Sequence, residues 1–214
     1  MSTIYTFGDS FTFGYGCVED CHFKPYYSYK KDGDDIWPIH LGERLEMAVV
    51  NYGQNGSSNE QIFQSVIENI DNIKENDIVL IGKTVHGRFN IPKDSKWIEI
   101  LSYVEIDSDW KNDISKKFSK EEFEALINFQ YYFLTNPMYR VRDNNRFDFL
   151  KKILTNNIKV RNCIIWEVKD MIKIFENITK ATNGEIEDLH FSFKGHKQLS
   201  EYFFNILSSD KKMI

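Results

Sequence analysis

Short motifs near both ends of the chain carry the functional groups of a nucleophilic catalyst. The first apolar run, Ile4–Phe7, leads into Gly8–Ser10, and Asp188 and His190 stand just before the last helical stretch. A serine hydroxyl becomes a nucleophile when a base takes its proton and an acid orients that base. If the two ends of the chain fold together, Ser10, His190 and Asp188 would form such a group.

Each motif alone also fits an ordinary turn. Gly, Asp and Ser favour turns and helix N-caps, and an Asp-x-His sequence is common in loops. Their positions favour the catalytic interpretation, because Ser10 follows the first predicted strand and His190 precedes the last predicted helix. Open α/β sheets present their chemistry at the carboxyl ends of the strands.

Strand and helix patterns alternate along the chain and determine where those motifs lie. Apolar runs predict strands, and apolar residues at helical spacing predict the helices between them. The predicted strands are 4–7, 48–52, 77–82 and 159–166. The predicted helices are 36–47, one that begins at Ser58, 119–134, 136–154 and 194–207. Ser58 with Gln61, and Ser119 with Glu122, have the spacing of a capping box.

This alternation predicts parallel strands joined by right-handed crossovers. We expect a single domain over residues 1–214, with helices on both faces of a doubly wound, mostly parallel sheet of four to five strands. The predicted architecture is therefore a three-layer α/β/α fold. The segment 83–155 is longer than one crossover requires, so part of it is expected to form a helical or irregular cap over the strand ends.

Composition restricts the partners and the compartment. The net charge of −5 argues against nucleic-acid binding, which needs a positive field. No signal-peptide pattern and no apolar run of membrane-spanning length is present, which predicts a cytoplasmic protein without membrane association. Three cysteines do not form a disulfide framework, and Cys17, Cys21 and His22 lack a second ligand pair. We therefore expect no metal and no cofactor, and the sequence does not predict the oligomeric state.

Polar residues follow each predicted strand at the edge where the motifs lie. Because the carboxyl ends of parallel strands meet at one edge, we expect these loops to line one cleft. The candidate substrate-binding residues in this cleft are Asn55, Asn59, His86 and Arg88. Arg88 has two interpretations, an anion-binding residue or a structural salt bridge. His196, at the start of the last helix, is predicted to be a packed or capping residue.

In its motifs the chain resembles the SGNH/GDSL hydrolase family, which is recognised by four short blocks. Gly8–Ser10 resembles the nucleophile block, 51–57 the second block and 188–196 the last block. The resemblance implies a flavodoxin-like fold and a catalytic triad of Ser10, His190 and Asp188. It also implies an oxyanion hole that includes the backbone amides of Ser10 and Gly56.

Two departures from the family pattern affect the site. The third block usually carries an asparagine that donates to the oxyanion, and the segment 82–88 contains none. We expect the Thr84 hydroxyl to replace it, with His86 and Arg88 as weaker alternatives. Loss of one such donor typically costs about 10²–10³ in turnover. The family's acid commonly lies three residues before the histidine, where Glu187 stands, but we prefer Asp188 because its shorter side chain is easier to hold rigidly.

The resemblance implies a serine esterase of small acyl esters, with O-acetylated carbohydrate as a candidate substrate. An acyltransferase on the same scaffold differs only in whether water or an alcohol accepts the acyl group. A non-catalytic binding or structural module is favoured by the altered third block, whereas the retained serine, acid and histidine argue against it. A flavodoxin-like nucleotide binder is disfavoured, because the loop after the first strand lacks a phosphate-binding glycine pattern.

Overall fold

A four-stranded parallel sheet forms the centre of the computed structural model of this chain. The structure describes residues 2–14, 36–86, 88–93, 96–100, 115–129, 137–174, 191 and 193–209. Within these residues the strands are β1 (Thr3–Gly8), β2 (Ala48–Gly53), β3 (Ile78–Lys83), β4 (Phe89–Lys93), β5 (Lys96–Ile100) and β6 (Asn162–Glu167). The sheet has the order β2-β1-β3-β6, and each neighbouring pair is parallel.

Helices connect the strands and cover both faces of the sheet. They are α1 (Ser10–Phe13), α2 (Trp37–Leu45), α3 (Asn59–Glu68), α4 (Lys120–Phe129), α5 (Pro137–Lys152), α6 (Val168–Ile174) and α7 (Phe193–Ser209). A 3₁₀ turn at Ile70–Asn72 follows α3, and a π-helical turn at Ile153–Ile158 follows α5. Both predicted capping boxes are present, at the starts of α3 and α4.

Side-chain alternation along the strands divides the core into two clusters, because successive residues of a strand point to opposite faces. One cluster packs the sheet against α2 and α7, with Ile4, Leu80, Trp37, Leu41 and Phe203 among its members. The other packs it against α3 and α5, with Phe7, Ile81, Ile62, Val66 and Phe147 among its members. The predicted three-layer α/β/α fold with a parallel sheet is confirmed.

The segment 83–155 divides between the sheet layer and a separate unit. Phe147 and Leu150 of α5 pack into the sheet core. The antiparallel hairpin β4–β5 packs with α4 in a cluster of its own, made by Leu126, Phe89, Ile91, Ile98, Phe118 and Phe123. That the hairpin and α4 act as a cap over the strand ends stays a prediction.

Element boundaries differ from the sequence-based ones at the fourth predicted strand. β6 begins at Asn162 instead of residue 159. Lys159 has a left-handed backbone (φ 61°) that ends the π-helical turn, so the chain enters the sheet only after it. Among the described helices, none is long and apolar enough to cross a lipid bilayer.

Candidate active site

The turn that carries Ser10 joins β1 directly to α1. Asp9 is the N-cap of this helix, and its Oδ1 accepts a hydrogen bond of 3.1 Å from the Phe11 backbone N–H. Ser10 is the first helical residue and is buried, with 3% of its surface exposed. The helix ends after one turn at Gly14, whose positive φ of 87° suits a left-handed C-cap. Ser10 therefore lies at the carboxyl end of β1, as predicted.

β2 holds this turn in place through Asn51 and Gly53. The Asn51 amide donates to the Thr12 carbonyl at 3.0 Å, and its oxygen accepts from Thr6 Oγ1 and the Gly53 N–H, both at 2.9 Å. A Cβ on Gly53 would lie 2.5 Å from the Phe13 backbone nitrogen. Only glycine therefore allows α1 to lie this close to β2.

The loop after β2 contains the predicted oxyanion residue Gly56. Gly56 is buried and has a φ of 75°, a backbone conformation that favours glycine. Within the described residues, its N–H makes no hydrogen bond. Asn55, predicted to contact substrate, is exposed beside it. The loop ends at Ser58, which caps α3.

The loop after β3 is fixed by the side chain of Asn59. The Thr84 N–H donates to Asn59 Oδ1 at 2.9 Å, and Asn59 Nδ2 donates to the Thr84 carbonyl at 3.2 Å. Asn59 Nδ2 also lies 3.1 Å from Asp143 Oδ2, and all three residues are buried. The Asn59 amide is thus used within the protein, where it orients the Thr84 backbone instead of facing a cleft.

Asp143 contacts two of the candidate site residues, Asn59 and His86, and the sequence analysis did not single it out. Its Oδ2 lies 3.4 Å from His86 Nδ1, and its Oδ1 accepts from two Arg142 nitrogens at 3.0 and 3.2 Å. Burial raises the pKa of this carboxyl, but hydrogen bonds from His86, Asn59 and Arg142 outweigh it and lower the pKa. One signal was present in the sequence: Asp143 stands four residues before Phe147, on the buried stripe of α5.

Arg88 contacts the turn that carries the nucleophile. Its Nη1 lies 3.3 Å from Asp9 Oδ2, and the two side chains are 15% and 4% exposed. Of the two interpretations left open by the sequence, the structure contains the salt bridge. An Asp9 carboxylate that caps α1 with one oxygen and pairs with Arg88 through the other is held at both ends.

Lys83, the second residue of the altered third block, pairs with residues of β6 and α5. Its Nζ lies 2.6 Å from Glu167 Oε1 and 2.9 Å from Asn144 Oδ1, beside a polar cavity of about 360 Å³. Burial would raise the pKa of Glu167, but hydrogen bonds and charge from Lys169 and Lys83 lower it to about 2. Lys83 is therefore engaged outside the predicted oxyanion hole.

The predicted base and acid, His190 and Asp188, lie outside the described residues, as do Glu187, Cys17, Cys21 and His22. The structure does describe Phe191, which is 1% exposed. Its ring centroid lies 4.9 Å from that of Phe11 at an interplanar angle of 63°. Because Phe11 directly follows Ser10 and Phe191 directly follows His190, this contact joins the two chain segments that carry the motifs.

His196 has a structural role, as expected. Its Nδ1 lies 3.2 Å from the backbone nitrogen of Trp37, so it accepts a hydrogen bond from the first turn of α2. A nitrogen that accepts from an N–H carries no proton of its own. Within the described residues, no group of three or more His, Cys, Asp or Glu side chains is arranged to hold a metal ion.

Comparisons with known proteins identify the fold. No family model matches the chain, and no curated protein matches it. A carbohydrate esterase whose active site is described as having divergent catalytic and non-catalytic binding functions is similar in structure, with a TM-score of 0.51. The two are 12% identical, and the match covers 97% of this chain and 65% of that one.

Two other solved structures match over nearly their whole length. One is a member of the lipolytic protein G-D-S-L family from Veillonella parvula, with a TM-score of 0.43, 13% identity and coverage of 97% of this chain and 99% of that one. The other is Est24, a carbohydrate acetylesterase from Sinorhizobium meliloti, with a TM-score of 0.41, 11% identity and coverage of 98% and 99%. At these identities the likeness to solved structures concerns the fold alone, and it agrees with the α/β/α architecture described above.

Proposed function

We propose that this protein is a serine esterase that hydrolyses small acyl esters. Ser10 is the nucleophile, His190 its general base and Asp188 the acid that orients the histidine. The observation that carries the proposal is the contact between Phe11 and Phe191. Consecutive Cα atoms are about 3.8 Å apart, so Ser10 and His190 are each one residue away from a pair of touching rings.

The oxyanion hole of this proposal combines two backbone amides and one hydroxyl. The Ser10 and Gly56 N–H groups donate to the developing charge, and the Thr84 hydroxyl replaces the asparagine of the third block. The Thr84 N–H already donates to Asn59, so the hydroxyl is the donor that this residue has left. Asn59 and Asp143 fix the position of Thr84, which matters because fixed dipoles stabilise an oxyanion without reorganisation.

The proposed reaction follows from these roles. His190 takes the Ser10 proton while Oγ attacks the ester carbonyl carbon, and the negative charge moves to the carbonyl oxygen in the oxyanion hole. When the tetrahedral intermediate collapses, His190 gives the proton to the leaving alcohol. Water, activated by the same histidine, then attacks the acyl-serine and releases the carboxylic acid. Asp188 stabilises the imidazolium that forms in both steps.

The substrate that we propose is an acetyl ester, with O-acetylated carbohydrate as the natural class. Carbohydrate esterases are among the proteins that share this fold. Two exposed apolar side chains flank the site, Phe13 three residues after Ser10 and Val85 beside Thr84, and they suit a small acyl group. Exposed Asn55 supplies hydrogen-bonding groups suited to sugar hydroxyls.

Hydrolysis of p-nitrophenyl acetate tests the proposal. We expect Ser10→Ala and His190→Ala to lower kcat by about 10³-fold or more, because both belong to one catalytic unit. Ser65→Ala in α3 and His40→Ala in α2 are matched controls and should keep the parent rate. Ser10→Ala with the parent rate would contradict the proposal, as would a parent protein that neither hydrolyses acetyl esters nor transfers their acyl group to an alcohol.

A further inference from the structure

Residues 88–90, where the chain enters β4, make contacts that the catalytic roles above do not use. Arg88 contacts the turn after β1 and Asn90 contacts the loop after β2, whereas His86 lies 3.4 Å from Asp143 of α5. Val85 is 41% exposed, and Phe89 packs into the α4 cluster. Successive residues of a strand face opposite sides, so Asn90 faces the Gly56 loop while Phe89 and Ile91 pack with α4. We call residues 88–90 the strap.

Arg88 connects the strap to the turn that carries Ser10. The Asp9 carboxylate has two donors. Oδ1 accepts a hydrogen bond of 3.1 Å from the Phe11 N–H, and Oδ2 accepts one of 3.3 Å from Arg88 Nη1. Asp9 is 4% exposed in its side chain, so the pair is weakly screened by solvent. Arg88 thereby sets the orientation of the carboxylate that caps α1, and Ser10 is the first residue of that helix.

Asn90 connects the same strap to the loop that carries Gly56. Asn90 Oδ1 accepts a hydrogen bond of 3.2 Å from the Ser58 N–H, and its Nδ2 lies 3.5 Å from the Gly56 carbonyl oxygen. The side chain therefore spans the loop from Gly56 to the N-cap of α3. On the other face of β4, Phe89 and Ile91 pack with Leu126 of α4 and anchor the strand.

We propose that Arg88 and Asn90 are positioning residues that hold the nucleophile turn and the Gly56 loop in a fixed relation. The inference rests on the proposed function, because the relation between the two loops matters for catalysis only if Ser10 and Gly56 have the roles proposed above. The two loops come from different strands, β1 and β2, and the strap ties both to one further element. A misplacement of about 1 Å between reacting groups costs about 10²-fold in rate, so such a tie has a measurable effect.

Kinetics of two variants with matched controls test the catalytic part. We expect Arg88→Ala and Asn90→Ala each to lower kcat for p-nitrophenyl acetate by about 10-fold or more with KM within about twofold, because the lost interaction positions groups in the transition state. Arg146→Ala, which removes an ion pair with Glu60, and Asn69→Ala, which removes a bond to Ser65, should keep the parent kcat. Equal kcat in parent and both strap variants would overturn the proposal.

Hydrogen exchange tests the structural part without requiring activity, so failure of the proposed function remains distinguishable. We expect faster exchange in Arg88→Ala only at the amides of 11–14, and in Asn90→Ala only at those of 57–58. Unchanged exchange at these amides, or a uniform increase across the chain in both variants, would show that Arg88 and Asn90 do not hold the two loops. Arg88→Lys retains the positive charge, and Asn90→Asp retains the acceptor for the Ser58 N–H. Both variants should recover at least half of the parent kcat. They provide the test if an alanine variant fails to fold.

Discussion

Asp143 is buried in α5 and its polar neighbours keep it ionised. His86 and Asn59 meet one carboxylate oxygen, and Arg142 meets the other through two nitrogens. Burial alone would raise the pKa of this group, and these partners reverse the direction. The same Asn59 holds the Thr84 backbone, so one carboxylate in α5 supports the predicted oxyanion residue.

We predict that Asp143→Ala lowers the free energy of unfolding by about 2–4 kcal/mol, because removing one partner leaves buried polar groups unsatisfied. The exposed Asp148 on the same helix is the control, and its alanine variant should change the free energy of unfolding by less than about 0.5 kcal/mol. Urea denaturation followed by circular dichroism measures both. Equal denaturation midpoints and slopes for the two variants would show that Asp143 contributes no more to stability than the exposed Asp148.

At the residue scale, the sequence placed candidate residues at the ends of the strands but did not assign their internal partners. The positions of Ser10, Gly56 and Thr84 at one edge of the sheet were predictable, because each follows an apolar strand and parallel strands present their ends at one edge. The pairing of Arg88 with Asp9 joins residues 79 positions apart. The contact of Asn59 with Asp143 depends on how α3 and α5 pack, and no local pattern encodes that arrangement.

At the element scale, the sheet and its flanking helices were predictable because their apolar residues recur at regular intervals. The strands β1, β2 and β3 and the helices α2, α3 and α7 appear within a few residues of their predicted bounds. The hairpin β4–β5 was missed: Pro92 and several charged residues interrupt its apolar residues, and Phe89, Ile91 and Ile98 pack with α4 and not with the sheet core. So short and interrupted a run lacks the sustained pattern that predicts a strand.

A substitution at Gly53 tests how closely α1 must approach β2. We predict that Gly53→Ala lowers the free energy of unfolding by about 1–3 kcal/mol, because its Cβ would overlap the backbone of Phe13 and Thr12 and force α1 to move. The exposed neighbour provides the control, since Gln54→Ala leaves the backbone bond from Gln54 to Gly8 intact. Thermal unfolding measures both changes. A Gly53→Ala protein as stable as the control would mean that α1 shifts without cost.

At the scale of the whole molecule, the first and last parts of the chain meet on one face of the sheet. α7 packs beside α2. The ring of Trp37, at the start of α2, contacts the rings of Phe203 in α7 and Trp166 in β6. The Trp37 backbone N–H donates to His196, and its indole N–H donates to the Phe11 carbonyl at 3.2 Å. This packing brings the start of α7 to the turn that follows β1, which no local sequence pattern specifies.

A double-mutant cycle measures the contact between the two ends. We predict a coupling energy of about 0.5–1.5 kcal/mol between Phe11→Leu and Phe191→Leu in urea denaturation, the usual value for an aromatic pair. Phe63 packs on the opposite face of the sheet, so Phe11→Leu and Phe63→Leu should be additive within about 0.5 kcal/mol. Additive effects in the first pair would show that the rings do not stabilise one another.

Reaction with a fluorophosphonate probe, followed by mapping of the modified peptide, tests most directly whether Ser10 and His190 act together. We predict modification of Ser10 in the parent protein and a rate lower by about 100-fold or more in folded His190→Ala, because the hydroxyl then lacks its general base. Modification at another residue, or an unchanged rate at Ser10 in His190→Ala, would contradict the catalytic pairing of the two chain ends.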